Sequence, residues 1–347
     1  MQRAYYQEET LNEKGEKVCR CTLCPHMCLI SNGNSGFCGS RINMNGTLTS
    51  VSYGKLCSLC IDPIEKKPLY HFCPGSKILS IAAAGCNLRC LNCQNWSLSQ
   101  SSPLMTDNYE MQPADVVNEA LRYNVPNIAF TYTEPTVFYE FMIETAKLAK
   151  RGRIKTAMVS NGYINEKPLL ELSNYLDAAN IDIKSFDDDI YRSLTGGSLQ
   201  PVLNTLNLLK NRGVWLEITY LIIPKYTDSL QNIKEMCTWL YKNGFSETPL
   251  HFSRFFPAYK LKDIPPTPVF TMKEAARIAL DSGLKFVYMG NLQSESHRNT
   301  YCNICKSVLV KRGLYNVSEL NVSSPEKGST LFGMCKFCGN AVPGIWS

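Results

Sequence analysis

Apolar runs alternate with amphipathic segments through the middle of the chain. The runs are short, lack strict polar alternation and are bounded by turn residues, which is typical of buried strands. The segments between them repeat apolar positions with a helical period. The predicted strands span 77–84, 127–132, 154–159, 178–183, 214–223, 250–253 and 285–289. The predicted helices span 113–123, 137–150, 167–176, two short helices up to 211, 230–241 and 272–282.

This alternation predicts an α/β fold with parallel strands and helices outside. A doubly wound open sheet and a full or partial TIM-type barrel both satisfy the pattern. The first strand is not followed by a glycine-rich dinucleotide turn, which weighs against a nucleotide-binding doubly wound sheet. Polar residues follow several strand ends, as the active-site residues of a barrel do. They are Cys86, Cys90, Cys93, Glu134, Asn161, Asp182 and Lys184.

Composition and charge exclude several classes. The 347 residues are 44% hydrophobic and 19% charged, which is typical of a globular chain. The net charge of +6 comes without a basic run, so nucleic-acid binding is not expected. No apolar stretch is long enough to span a membrane, and the polar start lacks the core of a signal peptide. We therefore expect a cytoplasmic protein whose 16 cysteines are reduced and available to bind metals.

The central cysteines have the spacing Cys-x3-Cys-x2-Cys. Cys86, Cys90 and Cys93 lie on one short loop after the first strand. Three thiolates can hold three irons of a 4Fe–4S cluster and leave the fourth iron open for a small molecule. Half of a zinc site, or a four-cysteine cluster completed from elsewhere, is the alternative for this spacing alone.

The segment from Gly85 to Cys93 after an apolar strand resembles the signature of radical SAM enzymes, although Asn92 stands where an aromatic residue is usual. Thr131 to Thr136 lies where radical SAM enzymes carry a Gly-Gly-Glu-like segment. The resemblance to pyruvate formate-lyase activating enzymes is carried by 160–162, 182–184 and 215–224. Over nearly the whole chain, the sequence is similar to the AmmeMemoRadiSam system radical SAM enzymes. The segments that carry this similarity are Cys21–Cys28, Asp62–Phe72, Ser253–Pro257 and Val342–Trp346.

The resemblance implies a partial (β/α)6 radical SAM barrel over 76–296. It also implies a cysteine-rich segment over 1–75 and a small zinc-ribbon-like module over 297–347. The cofactors would be a 4Fe–4S cluster and S-adenosylmethionine (SAM), with Glu134 on the methionyl amine. Asn161, Asp182 and Lys184 would be further SAM contacts. The barrel-rim pair Asp182 and Lys184 could instead be a plain salt bridge.

The same resemblance implies reductive SAM cleavage for hydrogen abstraction from an unidentified substrate. The expected partners are AMMECR-type and Memo-type proteins, and an electron donor such as flavodoxin or ferredoxin. Activation of a glycyl radical enzyme is the alternative. Glu217 and Arg254 are candidates for substrate binding or for a structural ion pair. Lys66, Lys67 and His71 form a loop that could cover the barrel mouth.

Two outer cysteine sets are further metal candidates. Cys302, Cys305, Cys335 and Cys338 form two knuckles, with Gly339 suited to the second turn, and favour structural Zn²⁺ over a rubredoxin-like iron. Cys21, Cys24, Cys28 and Cys38 fit either zinc or a second iron–sulfur cluster, with His26 as another possible ligand. Cys19, Cys57, Cys60 and Cys73 form a further site or fill apolar space, and Cys237 is expected to be a buried thiol.

Overall fold

A computed structural model describes residues 2–13, 15–293, 297–324 and 331–346. The predicted domain boundary at 296/297 falls beside residues 294–296, which lie outside the described residues, so the boundary stays a prediction. No helix in the described ranges is both long and apolar enough to cross a membrane.

The elements follow one another in this order. The strands are β1 Gln2–Arg3, β2 Gln7–Leu11, β3 Lys17–Cys21, β4 Leu29–Ile30, β5 Arg41–Met44, β6 Thr47–Ser50, β7 Lys55–Leu56, β8 Ser58–Pro63, β9 Lys77–Ala82, β10 Tyr109–Glu110, β11 Asn127–Phe130, β12 Lys155–Ser160, β13 Ala178–Ile183, β14 Trp215–Ile222, β15 Leu250–Arg254, β16 Val287–Gly290, β17 Thr300–Tyr301, β18 Val308–Arg312, β19 Val317–Leu320, β20 Val322–Ser323, β21 Phe332–Cys335 and β22 Ala341–Pro343. The α-helices are α1 Trp96–Ser99, α2 Pro113–Arg122, α3 Tyr139–Arg151, α4 Glu166–Ser173, α5 Asp188–Thr195, α6 Leu199–Asn211, α7 Leu230–Lys242 and α8 Val269–Asp281. Short 3-10 turns span Ile64–Lys66, Pro135–Phe138 and Tyr259–Leu261.

The main sheet contains eight strands in the order β16-β15-β14-β13-β12-β11-β9-β8. The seven strands from β9 to β16 are parallel, whereas β8 runs antiparallel to β9 at the edge. This confirms the α/β prediction. A doubly wound sheet reverses its strand order at a switch point, and this sheet has no such reversal. Its chain-ordered strands are those of an open barrel with six βα units and a final strand.

Local sequence explains where the barrel elements begin and end. Each predicted strand from 77 to 289 overlaps an observed one, because its apolar side chains are buried. Helix α2 starts at Pro113, where a missing N–H costs nothing. Helix α5 is capped by Asp187, which accepts from the Ile190 N–H, and ends at Gly196 in the left-handed region.

The N-terminal segment contains strands that the sequence analysis did not predict. Two small antiparallel sheets, β1-β6-β5 and β2-β3-β4, lie within this segment, and β7 pairs with β10 from beyond it. Strand β8 lies within the predicted segment 1–75 and yet belongs to the main sheet, where Asp62 pairs with Ile78. Part of this segment therefore completes the barrel edge.

The C-terminal residues pack under the barrel. Buried Trp346, Val342 and Cys302 share one hydrophobic cluster with Tyr70 and Tyr288. The Ile345 N–H donates to the His71 carbonyl at 2.7 Å, and the Cys73 N–H donates to the Ile345 carbonyl at 2.6 Å. We call this region, formed by residues 64–73, 286–288 and the C-terminal strands, the barrel floor. It lies at the amino ends of the strands, opposite the predicted site.

Candidate functional site

A cavity of about 330 Å³ opens at the carboxyl ends of the barrel strands. This volume lies in the range of small-molecule sites. The cavity brings together all seven residues that the sequence predicted for cluster and cofactor binding. They are Cys86, Cys90, Cys93, Glu134, Asn161, Asp182 and Lys184.

The cysteine loop between β9 and α1 is fixed at several points. Gly85 has φ 105°, and a Cβ there would lie 2.8 Å from the Cys38 carbonyl oxygen, so a side chain is excluded. The Arg89 N–H donates to the Thr195 carbonyl at 2.7 Å at the end of α5. These contacts hold the loop against both the N-terminal segment and the barrel.

The three sulfurs of this loop suit a polynuclear cluster. All are free thiols, half-buried and exposed to the same cavity. The Leu88 N–H donates to Cys86 Sγ at 3.3 Å, a type of contact that tunes cluster potential. Burial raises the pKa of Cys90 to about 11. Binding to a metal would hold this sulfur as a thiolate.

Glu134 is buried at the rim of the cavity, where it joins two strand ends. Its Oε1 accepts from the Thr136 N–H at 3.0 Å, the Thr136 hydroxyl at 2.7 Å and the Ser160 hydroxyl at 2.8 Å. Its Oε2 accepts from the Asn161 N–H at 2.9 Å. Burial raises the pKa of this carboxyl, and the four donors oppose that rise. One acceptor position on Oε2 is left for a ligand.

Asn161 contacts the cysteine loop. Its Nδ2 donates to Asn87 Oδ1 at 2.9 Å and lies 3.8 Å from Cys86 Sγ. Its Oδ1 accepts from the Tyr163 N–H at 2.8 Å. The side chain is thus already partnered and orients the loop, and its predicted contact with SAM stays a prediction.

Asp182 and Lys184 form an ion pair beside the cysteines. Lys184 Nζ lies 2.7 Å from Asp182 Oδ2, and both side chains are half-buried. Burial lowers the pKa of Lys184. Asp182 and the sulfur of Cys90 raise this pKa by more than burial lowers it, so the pKa lies above that of an ordinary lysine. The lysine is therefore a fixed cation next to the cluster loop.

Asn92 offers an unpaired polar atom to the cavity. It is 9% exposed, and its Oδ1 has no hydrogen-bond partner within the part of the chain that the structure describes. A buried polar atom without a partner is costly unless a ligand satisfies it. Asn92 is therefore ready to bind a polar group of a cofactor.

A charged cluster lines the cavity from the floor side, and the sequence analysis named its lysines, Lys66 and Lys67, but not their partners. Lys67 is 2% exposed, its Nζ lies 2.8 Å from Asp62 Oδ2, and it stands 3.9 Å from the Tyr132 ring centre. Tyr132 also donates to Asp62. Burial raises the pKa of Asp62, but Lys66, Lys67 and Tyr132 reverse this and hold it well below its usual range. The adjacent Lys66-Lys67 pair was the available signal.

Three other loop and strand candidates lie outside the cavity. Glu217 is fully buried in the barrel floor and accepts from the Tyr70 N–H at 2.9 Å, the His71 N–H at 2.7 Å and His251 Nε2 at 2.6 Å. His71 is buried in the same place, so it does not cover the barrel mouth. Arg254 Nε donates to the Thr267 carbonyl at 2.7 Å. These contacts are structural.

The C-terminal knuckles form a tight four-sulfur group. All four sulfurs of Cys302, Cys305, Cys335 and Cys338 lie within 4.8 Å of one another. Two sulfur pairs are separated by 3.7 and 3.8 Å. Tetrahedral bonds of about 2.3 Å place sulfurs about 3.8 Å apart, so the group fits one metal ion. Gly339 has φ 72°, as its predicted turn requires.

The remaining cysteines divide into a set and single residues. Cys21, Cys24, Cys28 and Cys38 line one small cavity together. The extra thiols do not assemble into a site among the described residues. Cys19, for example, contacts the Gly46 carbonyl at 3.0 Å, and Cys73 belongs to an apolar cluster. Cys237 is fully buried in the main core, which confirms its prediction.

Comparison with known proteins agrees with this geometry. Residues 80–239 match the radical SAM superfamily. An uncharacterized protein of Methanocaldococcus jannaschii is 46% identical over 323 residues, which are 93% of this chain and 94% of the relative. The pyruvate formate-lyase-activating enzyme of Clostridium pasteurianum is 30% identical over 161 residues, which are 44% of this chain and 64% of that enzyme.

One structural likeness supports the fold alone. Streptococcus suis SuiB bound to S-adenosylmethionine superposes with a TM-score of 0.50 and 13% identity, covering 69% of this chain and 56% of that chain.

Proposed function

Because this chain belongs to the radical SAM superfamily and is an enzyme of it, we propose that it cleaves SAM reductively at a 4Fe–4S cluster held by Cys86, Cys90 and Cys93. The observation that carries this proposal is the convergence of the three sulfurs with Glu134, Asp182 and Lys184 on one cavity. With a cluster bound by these cysteines, reductive cleavage of SAM would give methionine and a 5′-deoxyadenosyl radical, which would abstract hydrogen from a substrate.

The protein's part is to bind and orient SAM. Glu134 keeps one acceptor position on Oε2, which suits the methionyl amine. Lys184 is a held cation for the methionyl carboxylate, and Asp182 accepts from an amine or a ribose hydroxyl. Asn92 Oδ1 is a further acceptor, and Asn161 keeps the Cys86 side of the loop in place.

Removal of the three cysteines tests the proposal. Anaerobically reconstituted wild-type protein, reduced with dithionite and given SAM, should release 5′-deoxyadenosine, which chromatography measures. The triple variant Cys86→Ala/Cys90→Ala/Cys93→Ala should release none. Cys60→Ser is the matched control, because Cys60 is exposed on β8 and should leave release unchanged. Release by the triple variant would refute the assignment.

The substrate and partners are proposed on resemblance. The segments Cys21–Cys28 and Asp62–Phe72 support action with AMMECR-type and Memo-type proteins, with flavodoxin or ferredoxin as the donor. Calorimetric titration of each purified protein into this one should show binding, and heat equal to dilution alone would exclude that partner.

Similarity to the Clostridium pasteurianum enzyme supports a second candidate, activation of a glycyl radical enzyme. Incubation with such an enzyme and SAM should then give a glycyl radical signal by EPR. No signal, with 5′-deoxyadenosine still released, would exclude this candidate alone.

We also propose that the C-terminal group holds structural Zn²⁺. Its sulfur separations of 3.7 and 3.8 Å support a single tetrahedral ion. Metal analysis of the purified full chain should show zinc that is lost in Cys305→Ala/Cys338→Ala. Iron in this position would support the rubredoxin-like alternative.

A further inference from the structure

The N-terminal cysteines meet around one enclosed cavity. Strand β3 and strand β4 form a hairpin in which the Cys21 N–H donates to the Cys28 carbonyl at 2.9 Å. The turn between them contains Cys24, whose carbonyl accepts from the Met27 N–H at 3.1 Å. Cys38 arrives on the next loop, and all four sulfur-bearing side chains line the same cavity.

Two of the four sulfurs accept a hydrogen bond from an N–H group. Phe37 N–H donates to Cys28 Sγ at 3.5 Å, and Arg41 Nη1 donates to Cys21 Sγ at 3.8 Å. Hydrogen bonds from N–H groups to cysteine sulfur are also a feature of iron–sulfur clusters, whose potential they tune.

Among the described residues, the N-terminal sulfurs are not gathered as closely as those of the C-terminal group. A single tetrahedral zinc needs thiolates about 3.8 Å apart, as the C-terminal group has. Within the described residues, that C-terminal group is the only one with such closely gathered ligand atoms. The N-terminal four share a cavity without coming that close. The sulfurs of Cys86, Cys90 and Cys93 likewise share a cavity and are not gathered as closely as the C-terminal sulfurs.

His26 uses one ring nitrogen for a contact outside this set. His26 Nε2 lies 2.7 Å from the Asn87 carbonyl oxygen, and its ring stacks on Phe37 with centroids 4.3 Å apart. The ring nitrogen is therefore used to join the N-terminal loop to the catalytic cysteine loop.

We propose that Cys21, Cys24, Cys28 and Cys38 hold a second iron–sulfur cluster, of the 4Fe–4S type. In such a cluster each thiolate binds a different iron, so the ligands surround a larger core than a zinc ion. Four protein ligands leave no iron open. This site is therefore closed to substrate and differs in kind from the three-cysteine site.

The position of this second site gives it a direct connection to the first. Gly85, which precedes Cys86, is held within contact of the Cys38 carbonyl and the Ser40 hydroxyl. Arg89 of the catalytic loop donates to the Phe37 carbonyl and lies over the Phe37 ring at 4.3 Å. A cluster here would stand beside the catalytic loop with backbone contact between them.

Arg41 suits the charge of such a cluster. It is 1% exposed, donates to Glu140 and approaches Cys21, whereas its Nε has no partner among the described residues. Arg41 also donates to the Tyr5 carbonyl at 2.6 Å, which leaves Nε for a further acceptor or anionic neighbour. Thiolates bound to a cluster with net negative charge provide that neighbour.

Inorganic sulfide decides between a cluster and a single metal, because neither zinc nor a rubredoxin-like iron contains it. After anaerobic reconstitution, wild-type protein should contain about eight sulfides per chain, from two 4Fe–4S clusters. Cys86→Ala/Cys90→Ala/Cys93→Ala should retain about four, together with about four cluster irons. The double variant Cys24→Ala/Cys38→Ala should also retain about four.

Zinc at the N-terminal site gives a different result. The triple variant would then lack sulfide altogether, and the double variant would keep the wild-type sulfide content of about four. Either result overturns the proposal. If the triple variant does not fold, the comparison of the double variant with wild type still decides. Release of 5′-deoxyadenosine is measured separately, so failure of the SAM-cleavage proposal is distinguishable from failure of this one.

Discussion

His71 in the barrel floor should remain uncharged in the folded protein far below its ordinary pKa. Burial lowers its pKa from 6.5 to about 4, although Glu217 acts in the opposite direction. The hydrogen bonds agree with a neutral ring. Nδ1 lies 2.7 Å from the Pro343 carbonyl oxygen, so it carries the proton, and Nε2 accepts from the Tyr288 hydroxyl at 2.6 Å.

The pH dependence of stability follows from the sign of this shift. The unfolded chain binds the proton near pH 6.5, before the folded protein does. The stabilisation is therefore complete above pH 6.5 and is lost as the pH falls toward about 4. A shift of this size corresponds to about 3 kcal/mol, a large part of an ordinary free energy of unfolding. Burial raises the pKa of the Glu217 carboxyl, but His251 lowers it by more. The stability that this carboxylate contributes is therefore lost only at lower pH.

Two measurements check the prediction. The chain has four histidines, so an NMR titration of their ring signals is readily assigned with His71→Asn. The His71 signal should stay in its neutral position to about pH 4. Urea unfolding of wild type and His71→Asn should differ less at pH 5 than at pH 7, because acid weakens only the wild-type ring contacts. Metal loss affects both proteins and cancels in this difference. A His71 signal that titrates near pH 6.5 would refute the reasoning.

Three further predictions concern the cavity and the C-terminal metal. Asp182→Ala should weaken SAM binding about ten- to a hundredfold with unchanged iron content, because a charged hydrogen bond is lost and no ligand is removed; SAM titration followed by EPR measures this, and wild-type affinity would contradict it. Glu134→Ala should lower the free energy of unfolding in urea by about 2–6 kcal/mol, because two buried N–H groups lose their acceptor. Glu134→Gln keeps one oxygen for three of the donors, so its loss of stability should be smaller. Equal losses for the two variants would argue against this account. Removal of the C-terminal metal by Cys305→Ala/Cys338→Ala should increase hydrogen exchange in β17 to β22 and leave 5′-deoxyadenosine release unchanged, and unaltered exchange would show that the metal is not structural.

The barrel could be predicted from the sequence because its strands are continuous apolar runs. Strand β13 has the predicted bounds, Ala178–Ile183, since both faces are covered. The N-terminal strands were missed because they are short and only partly buried, and because their partners are distant in sequence. Gln2 in β1, for instance, pairs with Ser50.

Site residues that follow strand ends could be predicted from the sequence. The depth of a side chain within the barrel could not. Glu217, Thr219 and Leu221 share one face of β14, since side chains alternate along a strand. Thr219 and Leu221 reach the cavity, whereas Glu217 is lower and lies in the floor. Sequence periodicity shows which residues share one face of a strand. Only the register between strands shows how far along the barrel each residue lies.

The barrel floor has a consequence for the order in which the chain folds during synthesis. Each parallel strand pairs with its neighbour in the chain, so the sheet can grow as successive strands leave the ribosome. The barrel floor cannot form in this stepwise way. His71 contacts the carbonyl of Pro343, 272 residues later, and the carbonyl of Tyr70 accepts from Arg312, 242 residues later. Until the last strands are made, Tyr70, Phe286 and Tyr288 lack their cover. A stalled or truncated chain would therefore display an aromatic surface beneath a finished sheet, which makes it a target for chaperones and for aggregation.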